Sequence, residues 1–518
     1  MPGDPDTIAG VLRQQAQSRG DHPLLVCDKE RISYAEADRR SAELARELIA
    51  LGTGKGTHVG LLYPNGTDFV VGMLAAARIG AVVVPFSTFM TTGELQRQVV
   101  QSDTAFLLSA SSFRSHDYVQ RLTELLGRID GELFHPALPQ LRRVLVGSRN
   151  DPRADPDLLR AIEDDVDGSD VLTIVYTSGS TSTPKGVVHT HAALLAHQRN
   201  LNTIRGLSAQ DRLFCNSPFF WIGGLAFGLL ATLVAGSTLV CSNATDAGAV
   251  LDLIEAERPT VTNGFVAGIA HLADDPSYLR RDLSPLRRGN LYPIMAPETR
   301  PADPELRHNM LGLTEAGSVL LISDDESDQP EHRRGSYGKP APGFQTMIVD
   351  PDTGMPVRSG IAGEIVGELC IRGPYVMQGY YKRSREQCFD ADGWFHTGDL
   401  VRADDDGFMY FVGRRSGMIK TGGANVSAAE VEKTLATLGV TAHVFGLPDA
   451  RRGQLVVAVV ALPDTATNFD EEALRDRLKT ELSSYKIPRR FIALPRTEIP
   501  LLSSGKVDLE QLKRLFGD

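Results

Sequence analysis

Between residue 32 and about residue 240, short apolar runs alternate with segments whose apolar positions recur at helical spacing. Residues 58–63 predict a strand, residues 68–79 a helix that Gly80 would end, and residues 81–85 the next strand. Strands that alternate with helices in this way are typical of an α/β sheet with helices on its faces. We therefore predict an α/β fold for the first part of the chain.

Beyond about residue 335 the pattern changes to glycines and short β-type runs, at residues 363–366, 368–371 and 408–412. These runs predict a small β-barrel or sheet region that closes the large domain. Residues 413–417 have the composition of a hinge between domains.

The residues after this hinge show an independent α+β pattern. Ser427 and Glu430 have the spacing of a capping box at the start of a helix, and residues 455–462 predict a strand. A further helix is indicated by an apolar stripe of three leucines: Leu474, Leu478 and Leu482. We predict a large N-terminal domain of residues 1–416 and a small, mobile α+β C-terminal lid domain of residues 417–518.

One segment, residues 219–240, contains no charge and is long enough to cross a bilayer. Glycines and hydroxyl residues interrupt it, which favours a buried helix followed by a core strand over the alternative of membrane contact. We therefore expect no membrane span.

The remaining composition restricts the location and the partners. The start of the chain, MPGDPDTIAG, is acidic where a signal peptide is basic and then apolar, so secretion is not expected. The five cysteines are scattered without metal-ligand spacing, which is typical of thiols in a reducing cytoplasm. A net charge of -11 disfavours a general nucleic-acid binder, because phosphate backbones need a basic face. We expect a cytoplasmic protein without a nucleic-acid partner.

A loop rich in glycine and hydroxyl residues directly follows the apolar run 171–175. Small residues let backbone N–H groups approach a polyphosphate, hydroxyls add donors, and a lysine supplies positive charge. This pattern predicts ATP as the ligand, and its candidate residues are Thr177, Ser178, Gly179, Ser180, Thr181 and Lys185. Pro184 and Gly186 stand where the common P-loop has Gly and Ser or Thr, which disfavours a generic nucleoside triphosphatase. A flexible linker is the alternative.

This loop resembles the signature of the adenylate-forming superfamily, which contains acyl-CoA synthetases, peptide-synthetase adenylation domains and beetle luciferases. Five further segments match that superfamily in the same order, and the chain is most similar to a stand-alone bacterial acyl-CoA synthetase. In the segment 312–316 the resemblance implies that Gly312 and Thr314 contact the nucleotide, with Thr314 at the α-phosphate. It also implies that Glu315 helps to hold Mg²⁺, an ion that commonly takes one or two carboxylates beside substrate phosphates. The start of a helix is the alternative interpretation of this segment.

The other matching segments supply the remaining expected roles. Asp399 resembles the carboxylate that accepts hydrogen bonds from both ribose hydroxyls, and Arg414 resembles the second ribose contact. Taken singly, these two residues could be a turn residue and a surface charge. Lys506 resembles the lysine of the small domain that reaches the active site for adenylation. The segment 420–425, with Lys420, Gly422 and Gly423, resembles the part that enters for CoA.

The resemblance implies a ligase with two half-reactions, and ATP, Mg²⁺ and CoA as cofactors. A carboxylic acid first displaces pyrophosphate from ATP, and a thiol then attacks the acyl-adenylate and releases AMP. Two anions must approach each other in the first step, so a cation between them offsets their repulsion. The small domain would rotate about the hinge between the two steps.

The chain departs from the family pattern at several positions. Ser182 replaces a loop glycine, Gly417 a hinge aspartate and Trp221 a histidine, while Leu311 replaces an aromatic residue that stacks on adenine. Ile294 and Met295 stand where a Gly-Gly pair is expected, and only thirteen residues separate Pro297 from Leu311.

This shortened segment normally walls the acyl pocket, for which Trp221, Gly223 and Leu311 are the candidate residues. We therefore expect a wide pocket for a bulky acid, whether aromatic, polycyclic or long-chain. Three alternatives remain open: loading of a separate carrier protein, an ATP-binding regulator without activity, and luciferase-like oxygenation of the adenylate.

Overall fold

The computed structural model describes residues 5–147, 153–177, 184–266, 269–357, 365–414, 418–462, 469–500 and 507–517. By its contacts the chain divides into two compact units. The larger unit consists of residues 1–88, 99–176 and 186–413, and the smaller unit of residues 89–98, 177–185 and 414–518. The predicted boundary after residue 416 falls among residues 415–417, which lie outside the described part, so it stays a prediction.

Two large sheets form the framework of the larger unit. In the six-stranded sheet the strands are parallel except for an antiparallel edge pair. In spatial order they are Arg288–Gly289, Val261–Asn263, Arg212–Cys215, Thr238–Cys241, Pro23–Cys27 and Glu30–Ser33. The seven strands of the other sheet are, in order, Gly379–Tyr380, Lys185–Thr190, Val171–Thr177, Val82–Pro85, His58–Leu62, Phe106–Ser109 and Arg143–Val146.

Helices connect these strands and cover the sheets. The longer ones are Ile8–Arg19, Tyr34–Ala50, Thr67–Arg78, Thr92–Gln101, Tyr118–Leu126, Pro156–Asp165, His191–Ile204 and Ala247–Glu257. The shorter ones are Ala231–Ala235 and Ala270–Ala273. Apolar side chains of both sheets and several helices form a large buried cluster, which includes Leu25, Leu61 and Phe69, and a separate cluster around Phe214 and Val240 packs against the six-stranded sheet. The predicted α/β class is confirmed, and the predicted strand, helix and strand at 58–85 are present with ends shifted by about one residue.

Antiparallel sheets complete the larger unit. A three-stranded sheet contains Leu311–Leu313, Ser318–Ile322 and Lys339–Pro340. A four-stranded sheet contains Gln345–Val349, Ile365–Arg372, Phe395–Ala403 and Met409–Arg414. A two-stranded hairpin joins Ser112–Phe113 to His116–Asp117. The β-rich region that the glycine pattern predicts after residue 335 thus consists mainly of antiparallel pairs.

The apolar segment 219–240 folds inside the larger unit. It forms a π-helix at Gly223–Leu230, a short α-helix at Ala231–Ala235, and the start of the core strand Thr238–Cys241. The predicted buried helix and core strand are therefore confirmed. Within the described ranges, no helix combines the length and the apolar character that crossing a membrane requires.

The smaller unit is built around a five-stranded sheet. Its strands are Ala424–Ser427, Met418–Thr421, Gly453–Leu462 and Ala442–Asp449, with Arg490–Pro495 parallel to Gly453–Leu462. Its helices are Ala428–Thr437, Glu471–Glu481 and Leu509–Arg514. The predicted leucine stripe is confirmed, because Leu474, Leu478 and Leu482 are all buried in the core of this unit.

A buried ion cluster lies within the smaller unit and was not predicted. The Lys486 Nζ atom lies 2.8 Å from Glu94 Oε1 and 2.8 Å from Glu430 Oε1, and the Ser483 hydroxyl donates to Glu94 Oε2 over 2.6 Å. The predicted helix cap is present, because the Ser427 hydroxyl accepts from the Glu430 amide. The Glu430 carboxylate, however, binds Lys486, 56 residues away in the chain.

Candidate active site

The segment with Thr314 and Glu315 forms a tight connection between two antiparallel strands. A single 3-10 turn, Thr314–Ala316, joins Leu311–Leu313 to Ser318–Ile322. Gly317 ends the turn with a φ of 72°, a conformation that favours glycine. A Cβ atom on Gly312 would lie 2.8 Å from the Ser318 carbonyl oxygen, so the strands can approach this closely only at a glycine. The alternative of a regular helix at this position is thereby excluded.

The Glu315 carboxylate is positioned by a tyrosine that the sequence did not identify. The Tyr380 hydroxyl donates to Glu315 Oε1 over 2.8 Å, and the Met377 amide donates to the Glu315 carbonyl over 2.8 Å. Burial, followed by the charge of Glu315, raises the pKa of Tyr380, so its hydroxyl stays protonated as a donor. The second oxygen, Oε2, makes no hydrogen bond to a described residue. This half-buried carboxylate therefore keeps one oxygen for a ligand.

A buried histidine holds the other side of the turn. His189 Nε2 lies 2.7 Å from the Thr314 carbonyl oxygen, and burial lowers the pKa of His189 to about 4. The ring is therefore neutral at physiological pH, and Nε2 must carry the proton because a carbonyl oxygen only accepts. His189 belongs to the strand Lys185–Thr190, in which Val187 pairs with Tyr380. One strand pairing thus brings both supporting residues to the turn.

We expect that changing Tyr380 to Phe weakens adenylation about tenfold and raises the Mg²⁺ concentration needed for half-maximal rate, because residues that orient a metal ligand typically have effects of this size. The matched control is Tyr381 to Phe, since the Tyr381 hydroxyl donates to Asp103 instead of Glu315. Rates measured across a Mg²⁺ titration test the prediction. Equal Mg²⁺ dependence in both variants would contradict it.

Only the two ends of the phosphate-binding loop are described. Thr177 ends the strand Val171–Thr177, and Lys185 begins the strand Lys185–Thr190. Both residues are half-buried. The residues between them that carry a predicted role, Ser178, Gly179, Ser180, Thr181 and Ser182, lie outside the described residues. The strand predicted before the loop is confirmed, and the nucleotide contacts of the loop stay predictions.

The two predicted ribose contacts lie on neighbouring strands of one sheet. Asp399, in Phe395–Ala403, is fully buried, and its amide donates to the Thr397 hydroxyl over 3.1 Å. Burial raises the pKa of Tyr337, and the negative charges of Glu305 and Asp399 raise it further. The Tyr337 hydroxyl is therefore close enough to Asp399 to interact with its charge. Arg414 is the last residue of Met409–Arg414 and belongs to the smaller unit by its contacts. The ribose roles stay predictions.

The segment predicted to contact CoA is a β-hairpin of the smaller unit. Lys420 and Asn425 are paired across its two strands. Gly422 and Gly423 form the turn with φ values of 56° and 86°, the pair of positive angles that a type I′ turn requires. The Lys420 amide donates to Gln454 Oε1 over 2.8 Å. The hairpin thus presents side-chain-free backbone at its tip, while Lys506 and Gly417 lie outside the described residues.

The predicted acyl-pocket residues adjoin the π-helix. Trp221 is half-buried, and its ring packs edge-on against Phe220 and Phe265, with ring centres 5.3 and 5.9 Å apart. A Cβ atom on Gly224 would lie 2.1 Å from the Pro218 carbonyl oxygen. The backbone at residue 224 can therefore approach the backbone at Pro218 this closely only because residue 224 is glycine. Gly223, half-buried, begins the π-helix, a conformation that is frequent at functional sites.

The residues expected to line the wall of the acyl pocket are mostly buried among other side chains of the protein. Leu311 is 2 % exposed and lies in an apolar cluster, so in this conformation it presents almost no surface to a ligand. Ile294 and Met295 are buried in a cluster with Leu272 and Leu286. Ile294 and Met295 are thus packed against their own neighbours, whereas residues 298–310 are mostly exposed or half-buried, and the roles of these residues in the pocket stay predictions.

Magnesium suits the donors present. Within the described residues, no group of three or more His, Cys, Asp or Glu side chains could hold a metal ion by itself. Mg²⁺ does not need such a group, because it is commonly bound through one or two carboxylates together with substrate phosphates. The available oxygen of Glu315 meets this requirement.

Comparison with known proteins identifies the family. Residues 12–381 match the family model of AMP-binding enzymes, and residues 430–506 match the C-terminal domain of those enzymes. The chain belongs to the AMP-binding enzyme family, which confirms the adenylate-forming superfamily. More narrowly, it is an AMP-forming acid–thiol ligase of the acyl-CoA synthetase type, as its relatives show.

Two curated relatives and one solved structure illustrate the similarity. The chain is 33 % identical to a feruloyl-CoA synthase from an Amycolatopsis species, with 94 % of each chain covered. It is 31 % identical to a dioxo-octahydro-indenyl propanoyl:CoA ligase from Mycobacterium tuberculosis, covering 99 % of this chain and 100 % of the relative. An amide bond synthetase from Marinactinospora thermotolerans superposes with a TM-score of 0.79 at 25 % identity, covering 98 % of this chain and all of that one. ATP and CoA are the co-substrates of acyl-CoA synthetases, which confirms that part of the cofactor prediction.

Proposed function

We propose that this enzyme converts a bulky carboxylic acid to its acyl-adenylate and then to its CoA thioester. The observation that carries the proposal is the Glu315 carboxylate, which Tyr380 holds by one oxygen while the other oxygen makes no hydrogen bond to a described residue. A carboxylate so placed, beside Thr314 in a family that binds nucleotides, fits the metal-binding role. Two relatives act on bulky acids, the feruloyl-CoA synthase and the octahydro-indenyl ligase, which supports a bulky substrate.

The proposed chemistry assigns a task to each predicted residue. In the first step a carboxylate oxygen of the acid bonds to the α-phosphorus, and the bond from that phosphorus to the pyrophosphate oxygen breaks. Thr314 orients the α-phosphate, and Lys506 offsets the charge on the two approaching anions. Glu315 would hold Mg²⁺, which neutralises phosphate charge when bound. Asp399 and Arg414 fix the ribose.

The second step forms the thioester. The thiol sulfur of CoA bonds to the acyl carbon, AMP leaves with the electrons of the acyl–oxygen bond, and the thiol proton is released. We propose that the small domain changes orientation between the steps, so that Lys506 withdraws and the hairpin with Lys420 approaches. The positive φ values of Gly422 and Gly423 support a role for their backbone in passing the pantetheine arm.

A panel of carboxylic acids tests the proposed function. We expect aromatic and polycyclic acids to support exchange of labelled pyrophosphate into ATP with a higher kcat/KM than acetate. If acetate had the highest kcat/KM of the panel, the proposal of a pocket for bulky acids would be rejected. Absence of exchange with every acid, despite ATP binding, would favour the regulator alternative.

A second candidate function changes only the acceptor. The structural similarity to an amide bond synthetase favours, as this second candidate, attack of an amine on the adenylate in place of a thiol. Supplying CoA, a phosphopantetheinylated carrier protein or an amine to the preformed acyl-adenylate separates the alternatives. We expect CoA to accelerate AMP release most. Faster AMP release with the carrier protein or the amine would identify that compound as the acceptor instead of CoA.

A further inference from the structure

A cavity lies in the larger unit beside the predicted acyl pocket. It has a volume of about 80 Å³ and is partly open to solvent. Phe227 of the π-helix, Asn263 and Met310 contribute to its lining. The same three stretches of chain also carry predicted pocket residues or their contacts. The π-helix begins at Gly223, and Met310 directly precedes Leu311. Phe265, two residues after Asn263, packs against the Trp221 ring. The cavity is therefore placed to receive the distal part of an acid.

Arg205 lines this cavity with an incompletely used guanidinium group. Its Nε and Nη2 atoms donate to Asn202 Oδ1 over 3.3 and 3.0 Å, and Nη2 also donates to the Phe227 carbonyl over 3.0 Å. The guanidinium carbon lies 3.9 Å from the centre of the Phe227 ring. Nη1 makes no hydrogen bond to any residue in the described ranges, and no described carboxylate lies within ion-pair distance of Arg205. Two strong donors are thus available on a positively charged group.

Two of the three other arginines in the cavity lining, Arg288 and Arg307, are already compensated, and the third, Arg287, is exposed. Arg288 forms an ion pair with Asp211 at 3.2 Å, and Arg307 forms one with Asp328 at 2.5 Å. Burial by the surrounding protein lowers the pKa of Arg205 to about 9, which reflects how costly this charge is without a counterion. At neutral pH the group nevertheless remains protonated.

The two carboxylates in the lining do not serve Arg205. Hydrogen bonds from Ser327 lower the pKa of Asp325 to about 2, and Gln329 binds the same carboxylate. Burial raises the pKa of Glu326, while the charges of Arg288 and Arg307 partly offset the rise. These acidic groups are thus associated with other partners, and the Arg205 end of the cavity retains its positive charge.

We propose that the acid activated by this enzyme carries a second carboxylate, which accepts hydrogen bonds from Arg205 Nη1 at the end of the cavity. The inference rests on the proposed acid activation and adds the substrate class. The two N–H donors of Nη1 belong to a charged group, and a charge-assisted hydrogen bond to a carboxylate is roughly twice as strong as one between neutral groups. The reacting carboxylate would lie at Thr314, and the second would lie at Arg205.

The competing explanation is purely architectural. Arg205 caps the helix His191–Ile204 and binds the Phe227 carbonyl within the π-helix. In that case its loss would weaken the fold or the pocket for all acids alike. The two explanations therefore differ in substrate dependence.

Paired substrates of one carbon skeleton, a monocarboxylic acid and the dicarboxylic acid with a distal second carboxylate, test the proposal in the pyrophosphate exchange assay. We expect the wild type to prefer the diacid, and Arg205→Gln to lower kcat/KM for the diacid about 30-fold while the monoacid changes less than about threefold. Arg199→Gln, at a partly exposed arginine of the helix His191–Ile204 that pairs with Asp6 and does not line the cavity, is the matched control and should change neither value. Thermal unfolding establishes that each variant is folded.

Four results would overturn the proposal. If the wild type exchanges pyrophosphate with monoacids but never prefers diacids, the second-carboxylate proposal is wrong while the proposed function stands. If Arg205→Gln lowers kcat/KM equally for both acids, the role of Arg205 is architectural. No exchange with any acid defeats the proposed function as well. If Arg205→Gln does not fold, Arg205→Lys, which keeps the charge but loses the planar guanidinium and its Nη1 donors, should reduce diacid use selectively. If Arg205→Lys lowered kcat/KM equally for the monoacid and the diacid, that result would also contradict the proposal.

Discussion

Replacing Lys506 by Ala is expected to lower the rate of acyl-adenylate formation about 100- to 1,000-fold, the range found when a preorganised charge-stabilising donor is removed. The physical reason is that two anions, the substrate carboxylate and the α-phosphate, must meet without an intervening cation. Thioester formation from chemically supplied acyl-adenylate should change less than threefold, because Lys506 has no proposed role in that step. Quenched-flow measurement of each half-reaction checks both values.

A nearby lysine provides the control for this variant. Lys513 lies on the helix Leu509–Arg514, where its Nζ pairs with Glu510 at 2.5 Å near the surface. Lys513→Ala should leave both half-reactions unchanged. Adenylation at the wild-type rate in Lys506→Ala would remove Lys506 from the mechanism.

Lys486→Met should destabilise the smaller unit by about 3 to 5 kcal/mol, because removing one partner of a buried ion cluster leaves uncompensated charge. Lys486 is 8 % exposed and Glu94 7 % exposed, so water cannot replace the lost cation. Burial opposes the charged form of Lys486, but Tyr485, Glu94 and Glu430 together raise its pKa above the ordinary value. Hydrogen exchange in the strands of this unit, analysed as opening free energy, measures the effect.

Lys479→Met is the matched control for the stability prediction. Lys479 pairs with Asp476 at 2.7 Å, but both side chains are more than half exposed, and such surface pairs contribute less than about 1 kcal/mol. If Lys486→Met lowers the opening free energy no more than Lys479→Met does, the buried ion cluster contributes little to the stability of the smaller unit.

The same cluster predicts a pH dependence. Burial raises the pKa of Glu94, but the charge of Lys486 and the hydrogen bonds to this carboxylate outweigh it, so the pKa lies below its ordinary value of 4.5. A carboxylate with a lowered pKa stabilises the folded state above its unfolded-state pKa, and this stability is lost as the pH falls through the folded-state value. Opening free energies measured from pH 7 to below pH 4 should therefore fall less steeply in Lys486→Met than in the wild type.

What the sequence could predict was local. The strand before the phosphate-binding loop, the helix at Thr67–Arg78 and the leucine stripe of the smaller unit follow from apolar periodicity over short distances. The segment with Thr314 and Glu315 was identified because its contiguous residues resemble a motif of the family. Each of these signals is contained within a few neighbouring residues.

What the sequence could not predict depends on pairing between distant segments. Tyr380 reaches Glu315 only because Gly379–Tyr380 pairs with Lys185–Thr190, and His189 reaches Thr314 through the same strand. Glu430 looked like a capping residue, but it binds Lys486 because of tertiary packing. Arg205 had no local pattern that separates it from a surface arginine. The roles of the loop 178–183 and of Lys506 stay predictions based on the resemblance.

The most direct test of the central claim is to follow the products when enzyme, ATP, Mg²⁺ and a bulky acid are mixed first without CoA and then with it. The account predicts one equivalent of enzyme-bound acyl-adenylate with pyrophosphate in the first stage, and acyl-CoA with AMP in the second. Formation of ADP, or AMP release that does not depend on the acid, would contradict it.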